Sequence, residues 1–273
     1  MTFEALSQTA LDYLPCRYGK SKLLFRGPRR SLDKPYVAFL GANETYGKFI
    51  EQPFVDLLDD YIEPTCVNFG CLNAGVDVYL HDQCIHEIAQ KSALTVLQVP
   101  SAQNMTNRLY SVHPRRNDRF VAPTNMLKTI FPEVDFAAFH YNKHMFKHLQ
   151  DLSPERFRIL EQELYEAWVA RMLTLLGKIN GRVVLLWVST RSPKDDTHGE
   201  VNPLFVTDEM MQRVTPSVTE YVEVVLSKEA STNPTEGMIF SQMEAPAAQE
   251  MMGPRAHEEV ASKLLPVLRS MLQ

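Results

Sequence analysis

The stretch Tyr36-Val-Ala-Phe-Leu-Gly-Ala-Asn-Glu-Thr-Tyr-Gly47 decides how the chain is read. Five apolar residues, Tyr36 to Leu40, stop at Gly41, and a polar turn follows. Phe49, Ile50, Phe54, Leu57 and Leu58 then recur at mixed three- and four-residue spacing. An apolar run closed by a glycine turn and followed by helical periodicity predicts a buried strand feeding a turn and a helix. In open α/β sheets ligands gather where strand ends meet helix N-termini, so this crest is the first place to expect a site.

Working outward, Cys66-Val-Asn-Phe-Gly70 is expected as a second strand and Val78 to Gln90 as a helix. Leu94-Thr-Val-Leu-Gln-Val99, rich in β-branched residues, is a third strand. Ser153 as N-cap and Pro154 at the first helical position open a helix running to Ile179, with Phe157, Leu160, Leu164, Trp168, Met172 and Leu175 on its apolar face. Arg182 to Val188 is a fourth strand, Thr207 caps a helix over Asp208 to Val214, and Tyr221 to Leu226 is a fifth strand. Pro254 to Leu272 forms the last helix. Strands alternating with helices predict one parallel sheet covered on both faces.

The remaining segments are expected to decorate this frame. Residues 1–35 form an N-terminal wrapping segment, with a short helix over 3–14 and a basic stretch at 17–34. A single α/β domain then spans 36–273. It carries an insertion at about 106–150, polar and aromatic first and helical from about Phe136, and a loop from Gly237 to Gly253.

Composition narrows the function. The 273 residues are 45% hydrophobic and 22% charged, ordinary for a globular protein. A formal net charge of −5 gives nucleic-acid binding no electrostatic support. No run approaches the ~18 apolar residues of a membrane span. The four cysteines, Cys16, Cys66, Cys71 and Cys84, show no CxxC pair, so reduced thiols in a cytoplasmic protein are expected, with no metal and no cofactor.

Three strand-end blocks carry a resemblance. Leu40-Gly-Ala-Asn-Glu-Thr-Tyr-Gly47 resembles the first block of the SGNH/GDSL hydrolase superfamily, where a Gly-Asp-Ser turn precedes a Thr and a Gly. Asn68-Phe-Gly-Cys-Leu-Asn-Ala-Gly75 is similar to the second block, whose backbone amide helps form an oxyanion hole, and Ala102-Gln-Asn-Met105 stands where the third has Gly-x-Asn-Asp. Gly253-Pro-Arg-Ala-His-Glu-Glu-Val-Ala-Ser-Lys-Leu-Leu-Pro266 resembles the terminal helix that follows an Asp-x-x-His motif. The resemblance implies a three-layer α/β/α sandwich of about five parallel strands in the flavodoxin-like order. The Glu-Thr-Tyr-Gly crest and the His-Pro-Arg-Arg-x-Asp-Arg-Phe segment also resemble an uncharacterised bacterial family.

The departures matter more than the matches. Asn43 replaces the nucleophilic serine and Ala42 the aspartate before it, while Ala248 and Met251 stand at the Asp and His positions. An amide is no nucleophile at neutral pH. What the resemblance leaves is Asn104 and backbone amides from Asn73 to Gly75, able to bind a carbonyl or an anion. Glu44 and His257 are then the candidates for moving protons. Asn43, Thr45, Tyr46, Asn73, Gly75 and Asn104 are candidates for lining the pocket. Against Glu44 stands a first-turn helix acid, and against His257 a helix-packing role. Cys71 is the remaining nucleophile candidate, set against a buried thiol.

Arg108, Arg115, Arg116 and Arg119 with His113 follow the third crest, and guanidinium forks bind carboxylate, sulfate or phosphate in pairs of hydrogen bonds. Ion pairs with Asp118 or Glu133 are the competing account. His140, His144 and His148 at four-residue spacing suggest a solvated or interfacial helix face, a candidate homo-oligomer contact, more than a metal site. Asp195-Asp-Thr-His198 has the Asp-x-x-His spacing in a charged loop. The expected function is binding of a small anionic or sugar-derived metabolite beneath the 106–150 insertion, with group transfer in which Glu44 or His257 handles protons and the arginines hold the anion. The alternatives are an esterase or acyltransferase with a non-serine nucleophile, and a non-catalytic interaction protein.

Overall fold

The computed structural model describes residues 11–195, 197 and 199–273. The helix expected over 3–14 lies mostly outside them; 11–14 are not helical, and Leu14 has φ 46°. His198 also lies outside the described residues. The strands are β1 (Tyr36–Leu40), β2 (Thr65–Asn68), β3 (Leu94–Gln98), β4 (Tyr110–His113), β5 (Arg116–Pro123), β6 (Val183–Ser189) and β7 (Glu220–Val225). Early helices are α1 (Asn43–Tyr46), α2 (Phe54–Asp59), α3 (Val76–Leu80), α4 (Gln83–Lys91) and α5 (Asn125–Ile130). After them come α6 (Asn142–Leu152), α7 (Pro154–Ile179), α8 (Asp208–Val214), α9 (Lys228–Ser231), α10 (Ala245–Ala248) and α11 (Pro254–Leu272).

Five strands form one parallel sheet in the order β2-β1-β3-β6-β7. Counted along this sheet alone, that is the doubly wound order 2-1-3-4-5, with a switch point between β1 and β3. Alternation along the strands sorts their side chains into two cores. Val37 and Phe39 of β1, with Val184 and Leu186 of β6, pack under α2 and α11 beside Phe54, Leu58, Val260, Leu264 and Leu268. Ala38, Leu40, Leu185 and Trp187 face the other way, toward Leu164, Trp168, Met172 and Leu175 of α7. Helices therefore cover both faces, and the apolar stripe read from the sequence of α7 is its buried face.

Several expected elements differ: the helix expected after the crest is broken into α1 and α2, with Phe49 at φ 68° between them, and the expected loop from Gly237 to Gly253 carries α10. The helix over Val78 to Gln90 is two helices, because the side chain of Asp82 accepts from Ile85 N at 3.1 Å and caps α4. Residues 106–150 hold an antiparallel hairpin, β4 and β5, that was not expected, and Phe136–Ala138 is an isolated 3-10 turn. His140 thus precedes α6, so the three histidines do not share one helix face; His144 and His148 both pack on the Phe139 ring, at 5.2 and 5.3 Å.

The basic stretch is not uniformly solvated either. Arg26 is buried and donates to Gly47 O and Glu51 O, both at 2.7 Å, fastening the loop that leaves α1.

Candidate functional site

The crest of β1 is built around a missing side chain and an amide. A Cβ at Gly41 would collide with Thr45 Oγ1 and Gln98 Oε1, so only glycine lets β3 approach so closely. Into that space Gln98, the last residue of β3, inserts its amide. Its Oε1 accepts from Ala42 N at 3.0 Å, Thr45 N at 3.2 Å and Thr45 Oγ1 at 2.6 Å. With the oxygen committed to three donors, Nε2 must face the other way, and it donates to Glu44 Oε2 at 2.7 Å. A second clamp is the buried Tyr79 hydroxyl, which accepts from Gly41 N at 3.0 Å and lies 2.9 Å from Phe69 O, tying the ends of β1 and β2 together.

Asn43 and Asn73 pair across the crest. Asn43 Nδ2 donates to Asn73 Oδ1 and Asn73 N donates to Asn43 Oδ1, both at 2.9 Å. Asn73 has φ 56°, a left-handed conformation that asparagine tolerates better than most residues. Its Nδ2 then donates to Asp118 Oδ2 at 3.2 Å, extending the chain to β5. Asp118 Oδ1 is buried without a hydrogen-bond partner, with Arg116 Nε 3.7 Å away, and burial pushes the Asp118 carboxyl above its ordinary pKa. Asn104 Oδ1 accepts from the buried Asn142 at 3.2 Å.

These groups surround a cavity of about 730 Å³ at the C-terminal ends of the strands. Its lining divides by chemistry. Asn43, Glu44, Asn73, Asn104 and Asp118 form a polar wall, which Tyr141, Lys143, His144 and Lys147 from α6 and the residue before it continue. Val188, Leu204, Leu226, Met251 and Met252 form an apolar wall. Lys143 Nζ bridges to Glu250 Oε2 at 3.1 Å, joining α6 to the segment after α10.

Of the catalytic and binding candidates read from the sequence, Asn43, Glu44, Asn73 and Asn104 meet at this cavity, with His144 beside them; Thr45, Tyr46, Gly75, His113, His257 and the four arginines do not line it. Thr45 and Tyr46 are buried beneath the crest, and burial pushes the Tyr46 phenol up to about 12. The amides expected as an oxyanion hole are already engaged: Asn73 N by Asn43, Ala74 N by Cys71 O at 3.2 Å, and Gly75 N by Asn117 Oδ1 at 3.0 Å. Gly75 is required because a Cβ there would strike Asn104 O. The arginines are dispersed. Arg108 donates through Nε to Glu163 at 2.6 Å and through Nη2 to Glu166 at 2.8 Å. Arg119 lies over the Tyr141 ring at 5.8 Å, Arg116 faces Asp118, and Arg115 N donates to His113 Nδ1 at 3.3 Å.

His257 is 1% exposed and is not part of the cavity lining. Its Nδ1 accepts from Phe54 N at 3.0 Å and its ring stacks on Phe54 at 5.8 Å. Burial, reinforced by Arg26, lowers its pKa to about 3, so it is a neutral packing histidine at physiological pH. Burial also pushes the Cys71 thiol up to about 12, opposite to what a nucleophile needs.

Gln98, Asp118, Tyr141 and Lys147 were missed. A glutamine ending an apolar strand beside the crest was a usable signal for Gln98; Asp118 was weighed only as an arginine partner. Tyr141 and Lys147 reach the cavity through packing across the chain, which local sequence does not report.

No curated protein matches the chain. A crystal structure of the lipase Lip_vut3 from a goat rumen metagenome is similar at 11% identity and a TM-score of 0.42, over 88% of this chain and all of that one; a likeness this slight assigns no activity. Residues 1–272 match the profile of a domain of unknown function, and the chain belongs to that family, DUF6473.

Proposed function

We propose that the chain binds a small polar metabolite, anionic or sugar-derived, in the cavity at the strand crests, and that Glu44 handles the proton in group transfer there. One observation carries the reading: Glu44 lines the cavity with one carboxylate oxygen held by Gln98, while Asn43, Asn73 and Asn104 line it alongside. A carboxylate oriented by one hydrogen bond, with its second oxygen unengaged by the described residues, has the form of a positioned base. Because none of the four arginines lines the cavity and Arg108 is paired with Glu163 and Glu166, negative charge on the ligand falls to Lys147 and Lys143. Thermal-shift measurements against sugars, sugar phosphates and carboxylates test this. A shift is expected that Glu44→Gln and Asn104→Ala diminish, and stabilisation by no compound rejects the reading.

The apolar wall of Val188, Leu204, Leu226, Met251 and Met252 favours a second reading, in which the ligand carries an aliphatic arm and the reaction is acyl transfer. The SGNH-like crest supports it, with Glu44 in place of the absent serine. p-Nitrophenyl esters of increasing chain length separate the two. Turnover that survives Asn43→Ala and disappears with Glu44→Gln selects the second, and no turnover with any ester removes it.

A further inference from the structure

We infer that the ligand of this cavity contains a sugar ring, stacked on Tyr141 with its hydroxyls turned toward Glu44, Asn104 and Asp118. The inference rests on the reading that the cavity is the ligand site and adds the chemical class. Tyr141 is 46% exposed, large for an aromatic ring in a folded chain, and it lines the cavity. It is held in place: its backbone bridges to Arg119, whose guanidinium lies over the ring, and its carbonyl accepts from Met145 N at 3.2 Å. No other tyrosine and no phenylalanine or tryptophan lines the cavity among the described residues. A nucleobase has two apolar faces and is best served by two flanking rings. A sugar has one C–H face for a single aromatic platform and a rim of hydroxyls for polar groups.

The rim groups have the required capacity. Glu44 Oε1 and Asn104 Nδ2 have no hydrogen-bond partner among the described residues, while their sister atoms are fixed by Gln98 and Asn142. Asp118 lines the cavity beside them, its Oδ2 accepting from Asn73 Nδ2 at 3.2 Å while the buried Oδ1 faces Arg116. Acceptors and donors side by side suit hydroxyls, which do both, better than phosphate, whose negative charge the neighbouring Glu44 and Asp118 carboxylates oppose.

Ligand-observed saturation-transfer NMR on the full chain with a panel of methyl glycosides tests this, with inorganic phosphate and butyrate assayed by calorimetry. Binding of at least one glycoside is expected, with transfer strongest to the protons of one ring face. Tyr141→Ala should weaken it about tenfold while Tyr141→Phe stays within roughly twofold, both keeping the wild-type unfolding midpoint. Glycoside binding unchanged by Tyr141→Ala overturns the inference. Phosphate or butyrate binding that Glu44→Gln alters, without any glycoside binding, overturns the sugar class and leaves the cavity as the ligand site. Binding of no probe rejects both.

Discussion

Two polar groups in this molecule, Glu44 foremost and then His257, are candidates for proton transfer by sequence, and their surroundings separate them. Glu44 follows β1 and opens on the cavity, steered by Gln98. His257 lies in the first turns of α11, enclosed by Phe54 and serving as an acceptor for its amide. One side chain is oriented and left available; the other is oriented and sealed. Chemical type selects which residues could act, and enclosure decides which can reach a ligand.

Measurements at His257 can break this contrast most directly. Its pKa of about 3 lies below the roughly 6.5 of an unfolded histidine, so between those values the unfolded chain binds the extra proton. Stability should be fully present above about pH 6.5 and fall as pH drops toward 3, by on the order of 4 kcal/mol from this group. Urea unfolding across that range checks it, and His257→Asn, which keeps an acceptor for Phe54 N, should flatten the slope. His257→Ala at pH 7 should cost about 3 kcal/mol through the lost acceptor and packing, with no change in ligand affinity. A His257→Ala variant of full stability but lost binding reverses the comparison.

On the other side, Gln98→Ala strips the acceptor from two backbone amides and the Thr45 hydroxyl and releases Glu44. About 2 kcal/mol of stability should be lost, and ligand affinity should fall with it. Asn43→Ala should cost about 1 kcal/mol, because it opens the pair with Asn73 and leaves Asn73 N to the cavity. Calorimetric titration with acetate should then show tighter anion binding than in the parent chain; no gain means that Asn43 does not shield that amide. The smallest effect belongs to Lys143→Ala. Its bridge to Glu250 is exposed at both ends, so stability should change by less than about 0.5 kcal/mol.

Much of the frame was legible in the sequence because its signals are local. Tyr36–Leu40 is a strand with the bounds that its apolar run implied. Ser153, Pro154 and Thr207 cap where capping chemistry placed them. The hairpin of β4 and β5 was not legible although its strands are neighbours in the chain, since Arg116-Asn-Asp-Arg alternates weakly and the pairing register shifts between Ser111 and His113. At the site, Asn43, Glu44, Asn73 and Asn104 were found because each follows or ends near a strand, and strand ends converge in a parallel sheet. Asn73 to Gly75 were misjudged as free amides, because only the folded chain brings Asn43 and Asn117 against them.

By itself the sequence determined the five strands of the parallel sheet and their order along the chain, the crest lacking a serine, and a supply of amides and carboxylates at the strand ends. Those follow from residue type, periodicity and capping, which act over a few neighbours. Tertiary structure alone decided that His257 is sealed, that Arg108 is paired with Glu163 and no arginine of the 108–119 stretch lines the cavity, and that Tyr141 and Lys147 reach it. Burial and hydrogen-bond partners are set by segments far apart in the chain, and they determine whether a polar group keeps its fold together or stays open to a ligand.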